Sequence, residues 1–316
     1  MMTYYLGFDG GGRKTECVLL DSGGVVVNRA MAGPSNPLRV GFEQAFAALS
    51  AAATATLGNA GVEKSRLRAV CAGLAGAARP NVARHVMVFL TETFPQSFVH
   101  VTTDLEIALE AAAGPGPGVV LIAGTGSSAY GRNVAGQVAR AGGHGPWVGD
   151  EGSAFDIGRR AVAAVARARD LTGAPTRLAD AIPSALGFSS WDELIERIAQ
   201  DPDEVFPRTF PLVVQAADAG DAAARELLLA SAIRLSRLAT TVIRRLELQE
   251  QEFVLAKSGG VFGRSRVLDS LLDELLSSAA PRAKIWQLNV SPAVGAARLA
   301  ERLAGPQPVR AGSPTG

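Results

Sequence analysis

The sequence repeats one local pattern in its two halves: an apolar strand, a glycine turn and two further strand-like segments. The first copy begins at residues 4–9, which precede three glycines, and the second at residues 119–123, which precede Gly124-Thr125-Gly126-Ser127. Short apolar runs that end in glycine are typical of strands closed by tight turns. Because the order of elements and the place of the turn match, we interpret the two segments as a duplicated antiparallel meander. This duplication predicts two lobes, each built on its own sheet.

Helices and strands alternate in the rest of the first half. Helical spacing of apolar residues predicts helices over 42–57 and 82–94, and apolar runs predict strands over 67–74 and 98–103, which gives the order βββαβαβ. A further helix is expected from about residue 108, capped near Asp104. The second meander is followed by a mostly helical region. Its predicted helices are 153–169, 191–200, 211–219, 222–246, 266–277 and 291–303, and its predicted strands are 253–256 and 284–287.

Length and composition indicate a globular protein of two lobes. The chain has 316 residues, of which 47% are hydrophobic and 19% charged, so disorder is excluded. The glycine- and proline-rich segment 114–118 predicts the boundary between the lobes. We expect a first lobe over 1–115, joined by the C-terminal helix 291–304, a second lobe over 116–290, and a flexible tail over 305–316. The net charge of +1 provides no basic surface for nucleic acid or for an anionic membrane.

The sequence favours a cytoplasmic location. Its N-terminal residues lack the pattern of a signal peptide, and no apolar run approaches the ~20 residues that span a bilayer. The two cysteines, Cys17 and Cys71, both lie in apolar strand-like runs. We therefore expect free, buried thiols rather than a disulfide or a metal site.

Glycine loops follow three of the predicted strands, and the chain has 35 glycines in all. The segment from Asp9 to Thr15 could offer backbone N–H groups to a phosphate and a carboxylate to hydrated Mg²⁺, or it could be a plain hairpin turn beside a surface acid. It is neither a Walker A loop nor a dinucleotide fingerprint. Gly124–Gly126 occupies the equivalent turn of the second half, and Gly259-Gly260 follows a later strand. Two matching loops favour a nucleotide phosphate held between the lobes.

Two acidic residues are candidates for catalysis or substrate binding. Asp104 ends a strand, where it could take a proton from an attacking hydroxyl, or it could be a helix N-cap. Asp150 lies in a segment with five glycines, residues 141–153, where it could accept hydrogen bonds from hydroxyls or favour the dipole of the helix that follows. His144, in the same segment, is expected at a pocket wall or on the surface.

The ordered set of motifs resembles the BadF/BadG/BcrA/BcrD ATPase family of the actin, sugar kinase and Hsp70-like superfamily, and is most similar to its N-acetylglucosamine kinase branch. The resemblance spans nearly the whole chain. It is carried by Asp9-Gly10-Gly11-Gly12, Lys14-Thr15-Glu16, Ser35-Asn36, Thr102-Thr103-Asp104, Gly124-Thr125-Gly126-Ser127, Gly142-Gly143, Gly149-Asp150-Glu151-Gly152-Ser153, Ser258-Gly259-Gly260-Val261 and Pro292-Ala293-Val294-Gly295-Ala296-Ala297.

The resemblance implies an α/β fold of two ribonuclease H-like (actin-like ATPase) lobes. Each lobe would hold a mixed five-stranded sheet flanked by helices, with the active site in the interlobe cleft and the last helix packed on the first lobe. It also implies an ATP-dependent hexosamine kinase that acts on a 6-hydroxyl, with ATP and Mg²⁺ as cofactors. The favoured sugar is N-acetylglucosamine, and the expected assembly is a homodimer.

The resemblance assigns roles to single residues. Asp104 would be the general base, and Asp9 would hold Mg²⁺. The cofactor-binding residues would be Gly11, Gly12, Arg13, Lys14, Thr15, Gly124, Thr125, Gly126, Gly259 and Gly260. The substrate-binding residues would be Asn36, Asp104, Ser127, Ser128, Gly143 and Asp150.

Two positions depart from the family pattern, and several functions stay open. Arg13 replaces a usual threonine, and His144 replaces a usual aromatic residue in the sugar loop, so the choice among N-acetylglucosamine, glucosamine and N-acetylmuramic acid is open.

The branch that activates acyl-CoA reductases needs clustered cysteine ligands, which two separate cysteines do not supply. A non-catalytic sugar- and ATP-binding regulator is the remaining alternative, although no helix-turn-helix segment precedes Tyr4 and Asp104 is retained.

Overall fold

The structure is a computed structural model that describes residues 3–305. Contacts within the chain divide it into two units, Met1–Gly114 with Val290–Gly316, and Pro115–Asn289. The predicted tail, apart from Gly305, lies outside the described residues. Within residues 3–305, no helix combines the length and the apolar character needed to cross a membrane.

The first unit is a five-stranded mixed sheet flanked by helices, in the strand order β3-β2-β1-β4-β5. Strands β1, β2 and β3 form the antiparallel meander, while β1, β4 and β5 run parallel. The βββαβαβ order predicted for this half is therefore confirmed. The elements are β1 (Tyr4–Gly10), β2 (Thr15–Asp21), β3 (Val26–Ala32), α1 (Pro37–Ala60), β4 (Leu67–Leu74), α2 (Pro80–Thr93), β5 (Phe98–Thr103), α3 (Asp104–Ala113) and, from the far end of the chain, α10 (Pro292–Ala304).

Helix α10 packs directly on the backbone of β1. A Cβ atom added at Gly7 would lie 2.2 Å from the carbonyl oxygen of Ala293 and 2.3 Å from the nitrogen of Ala297. Gly295 of α10 makes a second close approach, to helix α3, since its added Cβ would lie 2.1 Å from the carbonyl oxygen of Ile107. These two glycines let α10 enter the core of the first unit. A segment nearly 300 residues from β1 in sequence thereby completes that core.

The second unit contains another five-stranded mixed sheet, in the order β10-β9-β6-β7-β8. Its meander is again antiparallel, and β9 and β10 add parallel strands on the other side of β6. The predicted α/β fold of two mixed five-stranded sheets flanked by helices is confirmed. The elements are β6 (Gly118–Ala123), β7 (Ser127–Arg132), β8 (Val138–Gly142), α4 (Ala154–Arg169), α5 (Leu178–Leu186), α6 (Trp191–Gln200), α7 (Pro202–Asp218), α8 (Ala222–Arg245), β9 (Val254–Ser258), α9 (Arg266–Ala279) and β10 (Lys284–Gln287).

Four helices differ from their sequence-based prediction. Helix α1 begins at Pro37 rather than at residue 42, and Gly41 inside it has a non-helical backbone, with φ 79° and ψ 164°. Helix α3 begins at Asp104 rather than near residue 108, and its N-cap is Thr103. Helix α5 was not predicted, and α7 begins nine residues before the predicted helix at 211. Both α5 and α7 contain internal prolines, which normally mark a helix boundary. Tertiary packing of their apolar faces overrides that local signal.

Both cysteines are free and buried, as predicted. Burial raises the pKa of Cys17 to about 12 and is also the main cause of a raised pKa at Cys71.

Candidate active site

Two predicted acids lie at the same edge of the first sheet. Asp9 is the last but one residue of β1, and Asp104 directly follows β5 as the first residue of α3. Because β1, β4 and β5 are parallel, their carboxyl ends meet at one edge, which is where open α/β sheets bind ligands. The fold therefore brings together two carboxylates that are 95 residues apart in sequence.

Asp9 is partly buried, and its charged form is disfavoured. The pKa of Asp9 is raised to about 7, mainly by burial and then by the negative charges of Asp104 and Glu16, while Lys14 partly offsets the rise. A carboxylate in this environment gains from a bound cation. A perturbed acid at a sheet edge is also a common feature of functional sites.

Asp104 is fixed by the start of helix α3. The hydroxyl of Thr103 caps the helix by accepting a hydrogen bond from the N–H of Glu106 at 3.2 Å. One carboxylate oxygen of Asp104 accepts from the N–H of Leu105 at 3.1 Å. The Glu106 carboxylate in turn accepts a hydrogen bond from Thr102. Since Thr103 is the N-cap, the alternative that Asp104 serves as the cap is wrong.

The first glycine loop is anchored by backbone hydrogen bonds. The N–H of Gly11 donates to the carbonyl of Lys14 at 3.0 Å, and the Gly11 carbonyl accepts from the N–H groups of Ser35 and Asn36 at 3.1 Å each. Gly12 is partly exposed, and the side chains of Arg13 and Lys14 are exposed. The loop thus holds Asp9, Asn36 and two cationic side chains around one exposed turn.

Thr15 and Asn36 use part of their polar groups inside the fold. The Thr15 hydroxyl is fully buried, donates to the carbonyl of Gly33 at 2.7 Å and is hydrogen bonded to the Ser35 hydroxyl at 2.7 Å. Asn36 is the N-cap of α1, and its side-chain oxygen accepts from the N–H of Leu38 at 3.0 Å. Thr15 therefore braces the loop from behind, whereas the amide nitrogen of Asn36 is not used by this cap.

Two glycine loops of the second unit, residues 124–126 and 259–260, meet at the ends of β6 and β9, and a third loop, residues 142–152, is joined to the first of them through Asp150. Gly259 has a φ of +112°, and a Cβ there would lie 2.3 Å from the carbonyl oxygen of Ala123, the last residue of β6. The same carbonyl accepts a hydrogen bond from the N–H of Val261 at 3.1 Å. The loop after β6 is closed by a bond from Gly124 N–H to the Gly126 carbonyl at 2.9 Å. Gly259 and Gly260 are exposed, and Gly124, Thr125 and Gly126 are partly exposed.

Asp150 joins the third loop to this cluster. Its carboxylate accepts a hydrogen bond from the N–H of Ser127 at 3.2 Å, and a Cβ at Gly126 would lie only 2.7 Å from its Oδ2. Asp150 is buried and has a φ of +56°, which is uncommon for a residue other than glycine. Burial raises its pKa, while the N–H of Ser127, the charge of Arg140 and the N–H of Gly145 lower it.

The remaining predicted residues of the second unit surround Asp150. Ser127 and Ser128 are buried at the start of β7, and the Ser127 hydroxyl donates to the carbonyl of Glu151 at 2.7 Å. Gly143 has a φ of +71°, and its N–H donates to the Ser127 carbonyl at 2.9 Å. His144 is exposed.

Three residues that the sequence analysis did not assign contribute to these sites. Glu16 adds negative charge near Asp9, and Ser35 supports Thr15. Arg140 donates to the carbonyls of Gly142 at 3.2 Å and Gly143 at 2.7 Å, and so holds the third loop. Glu16 and Ser35 each neighbour a motif residue, but nothing in the sequence indicates which way Arg140 faces.

The donor set at the edge of the first sheet is compatible with Mg²⁺ but not with a metal held by protein ligands alone. In residues 3–305, no group of three or more His, Cys, Asp or Glu side chains could hold a metal ion. Mg²⁺ commonly uses one or two carboxylates, several waters and substrate phosphates. Asp9 provides such a single carboxylate beside an exposed glycine turn.

Comparison with known proteins identifies the family. Residues 6–300 match the BadF/BadG/BcrA/BcrD ATPase family. The N-acetylmuramic acid/N-acetylglucosamine kinase of Clostridium acetobutylicum is 31% identical over 95% of this chain and 98% of its own length. The N-acetyl-D-glucosamine kinase of Dictyostelium discoideum is also 31% identical, over 94% of this chain and 97% of its own.

Solved structures are similar across both units. A structure assigned as an N-acetylglucosamine kinase, from Chromobacterium violaceum, has a TM-score of 0.74 and 27% identity, covering 94% of this chain and 98% of the other. A glucokinase of the ROK family from Streptomyces griseus, in complex with glucose and AMPPNP, shares the fold with a TM-score of 0.59 and 17% identity, covering 96% of this chain and 100% of its own. With a family match over nearly the whole chain and two relatives above 30% identity, the chain belongs to the BadF/BadG/BcrA/BcrD ATPase family.

Proposed function

We propose that the protein is an ATP-dependent kinase that transfers the γ-phosphate to the 6-hydroxyl of an amino sugar. N-acetylglucosamine is the favoured acceptor. The observation that carries the proposal is the pair Asp9 and Asp104 at one edge of the first sheet, in a chain whose full-length relatives carry amino-sugar kinase names. Phosphoryl transfer needs one carboxylate to orient the attacking hydroxyl and another to hold the cation. It needs few other catalytic groups.

Asp104 is proposed as the general base. The capped start of α3 and the bond from Leu105 N–H fix the position of its carboxylate. A fixed carboxylate within hydrogen-bond reach of the sugar hydroxyl orients it and removes its proton as the phosphorus–oxygen bond forms. Asp9 would hold Mg²⁺, which when bound neutralises phosphate charge.

The glycine loops are proposed to bind ATP through their backbone. Gly11, Gly12, Gly124, Gly126, Gly259 and Gly260 lie in turns whose surfaces are at least partly exposed. The charges of Arg13 and Lys14 and the hydroxyl of Thr125 suit phosphate oxygens. Thr15 is proposed to act through the loop that its buried hydroxyl supports.

The sugar is proposed to bind Asn36, Asp104, Ser127, Ser128, Gly143 and Asp150. The side-chain NH₂ of Asn36 can donate a hydrogen bond, because the cap uses only the side-chain oxygen. The Asp150 carboxylate has two oxygens, and Ser127 N–H binds only Oδ1, so the carboxylate can also accept from sugar hydroxyls. The Asp150 carboxylate is fixed by the backbone N–H of Ser127, and the Ser127 hydroxyl is fixed by the carbonyl of Glu151. Such preorganisation favours recognition of a specific hydroxyl pattern.

Glucosamine and N-acetylmuramic acid are the alternative acceptors within this proposal. We also propose a cytoplasmic homodimer that binds no membrane. A sugar- and ATP-binding regulator without turnover is the alternative from another class, as is an activator ATPase. The last of these is disfavoured because Cys17 and Cys71 are buried in separate strands.

The test is a coupled ADP-release assay on the full-length protein with N-acetylglucosamine, glucosamine, N-acetylmuramic acid and glucose. We expect turnover with an amino sugar in MgCl₂, none in excess EDTA, and much less with glucose. Calorimetry with AMPPNP establishes that the protein binds nucleotide. Binding of nucleotide without turnover on any sugar would overturn the kinase proposal and leave the regulator. Light scattering of the same sample measures the oligomeric state.

A further inference from the structure

A cavity of roughly 340 Å³ lies in the second unit, beside the segment that carries Asp150. This volume is within the range of small-molecule sites. Asp150 is not among its lining residues, and the Asp150 carboxylate is bonded to Ser127 instead. The lining consists of Pro146, Trp147, Val148, Gly149, Glu151, Asp156, Arg159 and Arg234.

Three arginines surround a single buried carboxylate at this cavity. Asp156 forms ion pairs with Arg159 at 3.2 Å, with Arg160 at 3.5 Å and with Arg234 at 3.4 Å. The three arginines and Asp156 together carry two net positive charges, and the carboxylate of Glu151 on the same lining reduces this surplus to one. Burial is the main cause of a lowered pKa at Arg160, and the charge of Arg234 lowers it further, while Asp156 acts in the opposite direction.

Two of these guanidinium groups are open to the cavity. The side chains of Arg159 and Arg234 are 46% and 33% exposed, whereas that of Arg160 is 17% exposed and is also bonded to the Ser231 hydroxyl. Each pair with Asp156 engages one guanidinium nitrogen, and arginine has five N–H donors in a planar fork. The free donors suit a phosphate monoester, whose charge of about −1.5 to −2 at neutral pH is attracted by the positive surplus.

The same lining also carries an aromatic residue that suits a sugar ring. Trp147 is 72% exposed, and its ring is held edge-on against Phe155 with centroids 5.8 Å apart. An exposed indole on a fixed support can stack on the apolar face of a pyranose. The exposed carboxylate of Glu151 lies on the same lining and can accept from sugar hydroxyls.

We propose that this cavity is a second ligand site, for a phosphorylated monosaccharide, with the phosphate on Arg159 and Arg234 and the sugar on Trp147. The reaction's own product belongs to this chemical class, an identification that rests on the proposed function. The site also connects to the sugar loop, because the Asp156 carboxylate accepts a hydrogen bond from the N–H of Gly152 at 3.0 Å.

The test is isothermal titration of the full-length protein, without nucleotide, using N-acetylglucosamine 6-phosphate, inorganic phosphate and N-acetylglucosamine as separate probes. Arg159→Gln should weaken the sugar phosphate by roughly ten-fold or more, since it removes a charged hydrogen-bond donor. Arg167→Gln is the matched control: it removes the same charge from an exposed position two turns further along α4, and should change nothing.

Trp147→Ala separates the two sources of phosphate. It should weaken the sugar phosphate but leave inorganic phosphate unchanged, and its exposed position makes it safe for folding. Equal affinity of wild type and Arg159→Gln for the sugar phosphate would overturn the site, as would no binding to wild type. Inorganic phosphate binding as tightly as the sugar phosphate would overturn the monosaccharide part.

The kinase assay keeps this inference distinct from the proposed function. Arg159→Gln should phosphorylate N-acetylglucosamine at the wild-type initial rate. Turnover without sugar-phosphate binding refutes only the second site. Binding that depends on Arg159, without turnover, refutes only the kinase.

Discussion

The approach of helix α10 to β1 makes Gly7 a sharp test of how the first unit is built. In Gly7→Ala the new methyl would lie 2.2 Å and 2.3 Å from two backbone atoms of α10. Van der Waals contacts between carbon atoms lie at about 3.5 Å or more, so the helix would have to move away by roughly 1 Å. Backbone atoms cannot change rotamer to make room, and the move would separate the apolar face of α10 from the sheet.

The expected loss follows from what α10 buries. Val294 and Leu299 are 5% and 2% exposed, and four alanines of the helix are fully buried. Overpacking a close-packed core costs about 1 to 3 kcal/mol, and partial loss of this face adds to that. We expect Gly7→Ala to lower the free energy of unfolding by about 3 kcal/mol or more.

Gly58→Ala is the matched control in the same unit. Gly58 lies inside α1, and a Cβ there would have no neighbour within 4 Å. Replacing a helical glycine by alanine should stabilise the protein by about 0.5 to 1 kcal/mol. Urea unfolding followed by circular dichroism measures both variants. A Gly7→Ala protein as stable as wild type, with Gly58→Ala behaving as expected, would refute the packing of α10 on β1.

Three further predictions concern the site and the thiols. Asp104→Asn should reduce kcat in the ADP-release assay by about 10² to 10⁴-fold with little change in sugar affinity, and an unchanged kcat would remove Asp104 as the base. Gly126→Ala, whose methyl would contact the carboxylate of Asp150, should weaken sugar binding by about ten-fold, while Gly124→Ala, which has open space, should not; equal sugar affinities in calorimetry would contradict this. Because burial raises the pKa values of Cys17 and Cys71, neither should react with Ellman's reagent at pH 8 until the protein is unfolded, and rapid reaction of the native protein would contradict their burial.

Local patterns were sufficient to predict much of the fold. The duplicated meander, the strand at Leu67–Leu74 and the helix at Trp191–Gln200 follow from short-range periodicity and turn residues, and the structure has them. Asp104 shows where prediction from local patterns stops, because an acidic residue after a strand could be a helix cap, a general base or both. Only the contact between Thr103 and Glu106 N–H assigns the cap elsewhere.

Features that depend on distant residues could not be predicted. The pairs of Asp156 with Arg159 and Arg160 are separated by three and four positions, as helical geometry allows, but Arg234 comes from α8, 78 residues away. The hydrogen bond from Ser127 N–H to the Asp150 carboxylate also joins residues 23 positions apart, and local patterns do not indicate it.

Asp9 and Asp150 are both held in unfavourable states, for different physical reasons. Asp9 is opposed by burial and by two neighbouring acids, while Asp150 combines burial with a backbone conformation that is costly for a residue with a Cβ. A fold selected only for stability would replace these acids with neutral residues. Both instead keep a carboxylate that a cation or a hydroxyl would stabilise, which supports the proposed roles of Asp9 and Asp150 in ligand binding.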